Sequence, residues 1–208
     1  MNAVLRRVVL ATTNRGKLKD FRALFEDTGV ELVSPADLDI VLEVEETGET
    51  FVANALIKAH AHSAVTRLPA LADDSGIVAH ALGNEPGVRS ARYAGAPSDD
   101  HANNLKLVAR LGDVSDRRAS FICALALVWP DGRELLAEGR CDGRIIDEER
   151  GVNGFGYDSI FFRDDLGLTF GEATPAEKHA RSHRGAAVRA LIAKLRDDGL
   201  LSEPHRAP

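Results

Sequence analysis

Ala72-Asp73-Asp74-Ser75-Gly76 stands between two short apolar runs, Pro69 to Ala72 and Ile77-Val78-Ala79. Two adjacent carboxylates are costly to bury unless a cation lies beside them. The stretch therefore reads as a buried strand that ends in a polar loop, where oxygen ligands collect a hard cation. Gly76 admits close backbone approach or a positive φ there. An Asp-rich turn closed by an Asx hydrogen bond is the plain alternative.

Upstream, the apolar run Val8-Val9-Leu10-Ala11 feeds into Thr12-Thr13-Asn14-Arg15-Gly16-Lys17. Leu18, Phe21, Leu24 and Phe25 then recur at helical spacing. The order is strand, polar loop, helix. Backbone N–H groups at such a helix start favour an anion, and Lys17 adds a full positive charge. The loop is not a Walker A motif, because Ala11 stands where Gly is needed and Leu18 where Ser or Thr is. Glu31 to Ser34 reads as a second strand, broken by Pro35. Glu43, Glu45 and Glu46 precede Thr47-Gly48 and a long helix from about Thr50 to Arg67. Val52, Ala55, Leu56, Ala59 and Ser63 mark its inner face, while Asn54 and Lys58, one turn apart, face one site.

Downstream, Leu82 to Pro97 reads as an irregular loop in which Arg92 reaches a phosphate or lies at a surface or interface. A helix from about Asp99 to Leu111 turns Leu105, Val108 and Leu111 inward and stops at Gly112. Ala119 to Trp129 is apolar on both alternations, as in a strand buried on both faces. Pro130-Asp131-Gly132 turns it back into Glu134 to Gly139 as a hairpin. Gly151 to Asp158 is rich in glycine, carries Phe155 and Tyr157, and leads into a strand from Ser159 to Phe162. Glycines beside an aromatic ring let a nucleobase slide onto it. Thr174-Pro175-Ala176-Glu177 is a capping box with Pro at the first helical position, which puts Lys178 in the first turn. Ser182-His183-Arg184-Gly185 then interrupts the pattern before a last helix with Val188, Leu191, Ile192 and Leu195. His and Arg side by side can donate to a purine carbonyl.

The 208 residues are most simply one domain over 1–201, with 202–208 as a disordered tail. A formal charge of -6, with Lys and Arg scattered, argues against nucleic acid as the main partner. A small triphosphate is different, since a few local cations and a metal neutralise it. Cys123 and Cys141 lie in no CxxC arrangement and read as core residues. No signal peptide and no run near the roughly 20 apolar residues of a membrane span is visible, so no membrane role and a cytoplasmic location are expected.

Together these stretches resemble the inosine triphosphate pyrophosphatases, which clear non-standard purine triphosphates from the nucleotide pool. Leu10 to Lys17, Glu45 to Gly48, Asn54 to Lys58, Ala72 to Gly76, Ser90 to Gly95, Gly154 to Asp158 and Ser182 to Gly185 carry the likeness, in that family's order. The resemblance implies an elongated α/β fold, a central mixed sheet flanked by helices in two lobes with an active-site cleft, and a homodimer. It implies hydrolysis of ITP, dITP and XTP to the monophosphate and pyrophosphate, which keeps deaminated bases out of DNA and RNA. By the same likeness Thr12, Thr13, Asn14, Arg15, Gly16 and Lys17 hold the triphosphate. Glu46 and Asp74 bind Mg2+, and Asp74 activates water. Lys58, Ser75, Phe155, Gly156, Tyr157, Asp158, Lys178, His183 and Arg184 bind substrate. Three positions depart from the family's habit: Thr13 and Ala53 replace a glycine and a glutamate, and Ser159 stands where proline is usual.

The chemistry expected is attack of water on the α-phosphorus with pyrophosphate leaving, the charge neutralised by Mg2+, Lys17 and loop amides. The residues alone do not decide which of Asp73 and Asp74 is the base. Donors from His183 or Arg184 would favour the 6-carbonyl of inosine and xanthine over the amine of adenine. Two other classes fit parts of the pattern: a catalytically silent nucleotide sensor, and a Maf-like pyrophosphatase for modified pyrimidine nucleotides.

Overall fold

The computed structural model describes residues 4–201, so the tail expected to be disordered, 202–208, lies outside the described residues. In chain order the elements are β1 (Arg7–Leu10), α1 (Arg15–Phe25), β2 (Glu31–Val33), α2 (Phe51–Thr66), β3 (Ala70–Ala79), α3 (Asp100–Leu111), β4 (Arg118–Val128), β5 (Glu134–Ile145), β6 (Phe161–Arg163), β7 (Leu168–Thr169), α4 (Pro175–Arg181) and α5 (His183–Asp197). Among the described residues the strands form one seven-stranded sheet in the order β2-β1-β3-β4-β5-β6-β7. β1 runs parallel to both β2 and β3, whereas β6 is antiparallel to β5 and β7, so the sheet is mixed. No helix among the described residues is long and apolar enough to cross a membrane.

The chain clusters into two compact units: Met1–Asp74 with Ala124–Gly139 and Arg184–Pro208, and Ser75–Cys123 with Arg140–His183. In the first, Ala11, Ala55, Ala59, Ala72, Ala126 and Val128 form a small-residue cluster that brings α2 close against the strands. In the second, Ile77, Leu107, Leu111, Phe121, Ile160, Phe161 and Phe170 are the heart of the core. Phe121 packs on Phe161 at 4.6 Å between centroids, and Phe161 on Phe170 at 5.4 Å. Tilted ring pairs of this kind are each worth about 0.5–1.5 kcal/mol beyond their burial.

Several elements differ from the reading of the sequence. The stretch Asp73 to Gly76 is not a loop: β3 runs unbroken from Ala70 to Ala79. The reason is that each carboxylate has a lysine of its own beside it, so neither has to leave the strand. At Gly76 a Cβ would lie 2.3 Å from Ser90 Oγ and 2.7 Å from the Gly87 carbonyl oxygen, and the glycine thus serves close approach. Leu105 is 56% exposed rather than inward; Leu107 and Leu111 are the apolar anchors of α3, joined by buried Asn103 and Asn104. The stretch read as irregular contains two 3-10 turns, His80–Leu82 and Gly87–Arg92. Only Ser182 interrupts the last helical pattern, since His183 already opens α5. The strand expected from Ser159 begins at Phe161, after a 3-10 turn over Gly156–Ser159. The capping box at Thr174 is present in full, with Thr174 Oγ1 accepting from the Glu177 amide and Glu177 Oε2 from the Thr174 amide.

Candidate active site

In the first unit the site grows from three backbone features. β1 delivers the loop Thr12 to Asn14 to the start of α1, where Asn14 is the N-cap: its Oδ1 accepts from the Lys17 amide at 3.0 Å. Thr12 Oγ1 accepts from the Asn14 amide at 3.2 Å. The amides of Arg15 and Gly16, the first two of α1, precede any intrahelical acceptor, and the helix dipole favours an anion there. The capped first turn holds Lys17, whose Nζ lies 2.8 Å from Asp73 Oδ2.

Asp73 and Asp74 are successive on β3, so their side chains leave opposite faces of the sheet. Both are buried, at 1% and 7% exposure, yet their surroundings differ. Burial pushes the Asp73 carboxyl up, but the charges of Lys17, Arg184 and Lys58 outweigh it and hold the group at about 2. Burial also pushes Asp74 up, and here Lys58 and the Asn54 hydrogen bond do not compensate, while Glu46 adds to the rise. Two neighbouring carboxylates thus acquire opposite proton affinities: Asp73 is a fixed anion, and Asp74 is the better proton acceptor of the pair.

Asn54, fully buried on α2, is the hinge of this corner. Its Nδ2 donates to Asp74 Oδ2 at 3.0 Å and its Oδ1 accepts from the Gly48 amide at 2.7 Å. A Cβ on Gly48 would come 2.7 Å from that same Oδ1, so only glycine lets the segment carrying Glu46 lie so close. One turn further along α2, Lys58 Nζ donates to Glu46 Oε1 at 3.0 Å and lies 3.8 Å from Asp74 Oδ1. Glu46 and Asp74 are therefore drawn to one cationic point. Among the described residues no cluster of three or more His, Cys, Asp or Glu side chains suited to a metal exists. A pair of carboxylates is an all-oxygen donor set of the kind a hard cation shares with waters and phosphate. Arg184, buried at the start of α5, has Nη1 3.4 Å from Asp20 Oδ2 on α1.

In the second unit the Gly-rich stretch is a knot tied by Asp158. Its Oδ2 accepts from the Phe155 amide at 2.8 Å and from Lys178 Nζ at 2.5 Å. The Lys178 ammonium also lies 5.0 Å from the Phe155 ring centroid, a cation–π contact. Lys178 is buried, held in the first turn of α4 by the capping box, and its charge is committed to Asp158. A Cβ at Gly154, φ 77°, would meet Asp158 Oδ2 at 2.1 Å, so the knot requires glycine. The Tyr157 hydroxyl donates to the Ser90 carbonyl at 2.8 Å, and Ser90 Oγ accepts from the Ile77 amide on β3 at 2.9 Å. Ser75 follows Asp74 on the same strand and is half-buried. The His183 ring, 2% exposed, stacks on Phe121 at 4.7 Å and 10° between planes.

The expected site residues thus divide between the two units. Thr12 to Lys17, Glu46, Lys58, Asp74 and Arg184 belong to the first unit; Ser75, Phe155 to Asp158, Lys178 and His183 belong to the second. His183 and Arg184, read from the sequence as a pair, are assigned to different units and have different partners. Exposure habits alone suggest surface positions for both, but each is buried. Residues the sequence reading undervalued are Asp73, Asn54, Asp20 and, around the aromatic loop, Asp100 and Asn104. The i, i+4 spacing of Asp100 and Asn104, beside the apolar face of α3, was the available signal.

The sequence matches the Ham1 family over residues 8–194. It is 50% identical over 199 residues to the dITP/XTP pyrophosphatase of Burkholderia pseudomallei, covering 93% of this chain and 95% of that protein. It is 44% identical over 195 residues to the dITP/XTP pyrophosphatase of Bacillus anthracis, covering 92% of this chain and 96% of that protein. Among solved structures, a HAM1 protein from Coxiella burnetii superposes with a TM-score of 0.85 at 42% identity, covering 93% of this chain and all of that one, 100%.

Proposed function

This chain belongs to the Ham1 family, and from that premise we propose that it hydrolyses non-standard purine nucleoside triphosphates, ITP, dITP and XTP, to the monophosphate and pyrophosphate. The relatives named dITP/XTP pyrophosphatase, matched over nearly their whole length, support the substrate class. The structural observation that carries the mechanism is the difference in surroundings between Asp73, paired with Lys17 at 2.8 Å, and Asp74, bound by Asn54 at 3.0 Å with Lys58 3.8 Å away.

In this reading Thr12, Thr13, Asn14, Arg15, Gly16 and Lys17 bind the triphosphate through hydroxyls, first-turn amides and the ammonium. Lys17 is held by Asp73 at 2.8 Å, which keeps its charge aimed while a phosphate arrives. Asp74, with its raised proton affinity, accepts a proton from the water that attacks the α-phosphorus. Asn54 fixes the Asp74 carboxylate by donating to Oδ2 at 3.0 Å. Glu46 and Asp74 would hold Mg2+, their all-oxygen pair fitting an ion that keeps several waters and binds substrate phosphates. When bound, Mg2+ supplies neutralisation of phosphate charge and a more acidic water. Lys58, 3.0 Å from Glu46 Oε1 and 3.8 Å from Asp74 Oδ1, offsets the charge of both carboxylates and would lend its ammonium to substrate phosphate. Phe155, Gly156, Tyr157, Asp158, Lys178 and Ser75 form the surroundings of the nucleoside, and His183 or Arg184 donates to the 6-carbonyl. A homodimer and a cytoplasmic location belong to the same proposal.

The test is pyrophosphate release from ITP, XTP, GTP and ATP, each with Mg2+ or EDTA, by the wild type and Asp74→Asn. Metal-dependent turnover of ITP and XTP, little turnover of GTP and ATP, and loss in the variant are expected. Binding of ITP with no release would make the protein a sensor instead. Sedimentation of the same sample checks the dimer.

A further inference from the structure

Gly156 is gripped at both of its backbone groups by side chains of one helix. Its amide donates to Asp100 Oδ2 at 2.7 Å, and its carbonyl accepts from Asn104 Nδ2 at 3.2 Å. Asp100 and Asn104 are four residues apart on α3 and therefore stacked on one face. Gly156 itself sits at φ 64°, a conformation that is not the default of a flexible segment and that the two bonds hold in place.

The grip is itself supported. Asn104 Nδ2 lies 2.6 Å from Glu149 Oε1 and 3.2 Å from Ser159 Oγ, and Ser159 Oγ donates to the same Glu149 oxygen at 3.3 Å. His101 Nδ1 lies 2.8 Å from the other oxygen, Glu149 Oε2. The Asn104 amide is thereby turned so that its N–H groups face the loop. Its Oδ1, in a side chain only 2% exposed, has no hydrogen-bond partner among the described residues. A buried acceptor left unsatisfied costs stability, and such cases call for a reason. Here the reason is that the amide's two N–H groups are both spent on one side, on the segment Glu149 to Ser159. The same residues line an open hollow of about 290 Å3 between the start of α3 and the loop.

We infer that Asp100 and Asn104 are positioning residues for the aromatic loop: they set the Gly156 peptide, and with it the ring of Phe155 and the side chain of Asp158, before any base arrives. The inference rests on the proposed role of Phe155 to Asp158 in nucleoside binding. Neither residue touches the reacting phosphates in this account, and both act through Gly156. A loop set in advance loses less freedom on binding, so loosening it weakens capture of the base and leaves the chemical step alone.

The test uses the full chain with Asp100→Ala, Asp100→Asn and Asn104→Ala. Hydrogen exchange at the Gly156 amide of the ligand-free protein is expected to quicken about tenfold in Asp100→Ala and Asn104→Ala, on the scale of one lost hydrogen bond. Asp100→Asn keeps an oxygen acceptor and is expected to retain wild-type protection. The KM for ITP should rise about tenfold in the two alanine variants with kcat within about twofold, as for a loss of ground-state binding. Inhibition by inorganic tripolyphosphate, which has no base, should be unchanged. Unaltered exchange in both alanine variants overturns the inference, as does a parallel weakening of ITP and tripolyphosphate. Asp100 is exposed, so its variants remain informative if Asn104→Ala fails to fold. If the wild type turns over no ITP, the proposed activity falls, while the exchange data still decide the positioning of the loop.

Discussion

Lys17 Nζ lies 2.8 Å from Asp73 Oδ2, and the carboxylate it meets is 1% exposed. The pair joins the first turn of α1 to the middle of β3, and the acid behaviour of the protein should follow from it. Despite burial, Lys17, Arg184 and Lys58 hold Asp73 at about 2, below its ordinary 3.8. A depressed carboxylate contributes stability that is fully present above the unfolded value and is lost as pH falls through the folded one. Urea unfolding should therefore weaken between about pH 4 and pH 2, by about 2 kcal/mol for a shift of this size. Lys17→Met should cost about 3 kcal/mol at neutral pH, because it removes the ammonium paired with the buried Asp73 carboxylate and leaves only Arg184 and Lys58 to offset its charge. The gap between variant and wild type should narrow in acid, and a gap constant from pH 7 to pH 2 would contradict this account.

Asn54 connects the segment of Glu46 to Asp74 through two hydrogen bonds, one from each end of its amide. Asn54→Leu keeps the approximate volume and removes both. Stability is expected to fall by about 2–3 kcal/mol, since a buried carboxylate and a backbone amide each lose a hydrogen bond. Pyrophosphate release should fall with it, and denaturant titration measured beside the assay separates the two effects.

Gly76→Ala tests the tight contact of β3 with the Gly87–Arg92 turn. The added methyl would stand 2.3 Å from Ser90 Oγ and 2.7 Å from a backbone oxygen, which only a shift of backbone relieves. The expected cost is about 1–3 kcal/mol by overpacking, read as a lower denaturation midpoint at unchanged slope. Ser90→Ala in the same chain should recover only part of it, because the Gly87 oxygen remains.

Cys141, buried on β5, has its thiol pushed up to about 11 by burial, which the nearby Arg163 guanidinium only partly offsets. Its thiolate fraction at pH 8 is therefore about 100-fold below that of an ordinary cysteine. Iodoacetamide should label it slowly in the native protein and rapidly in urea, as intact-mass spectra over a time course would record.

The periodic parts of the molecule were readable in advance. β1, α1, α2, β4 and the capping box at Thr174 stand where apolar spacing and end signals put them, because local rules decide such elements. What the sequence could not display is the pairing of a charge with a distant partner. Asp73-Asp74 looked like a loop because the lysines that let it stay in a strand lie 56 and 16 residues before these aspartates, at Lys17 and Lys58. His183 and Arg184 are neighbours in sequence, and nothing local shows that one stacks on Phe121 and the other lies beside Asp20. Leu105 looked inward by its chemistry, but the inner face of α3 is shared with two asparagines that bind backbone. The sequence names the candidate residues; the hydrogen bonds and ion pairs that connect them are tertiary and are seen only in the fold.

β3 carries Asp73, Asp74 and Gly76 within ten residues, and strand geometry alternates sides at every step. A single deletion between Ala70 and Asp73 would put Asp74 in the place that Asp73 holds beside Lys17, and a single insertion would put Asp73 in the place that Asp74 holds beside Lys58. Conservative replacement elsewhere on the strand changes one contact; a change of length by one reverses them all. Over evolutionary time this segment should accept substitutions far more readily than gaps, with its parity, rather than any single side chain, as the inherited quantity.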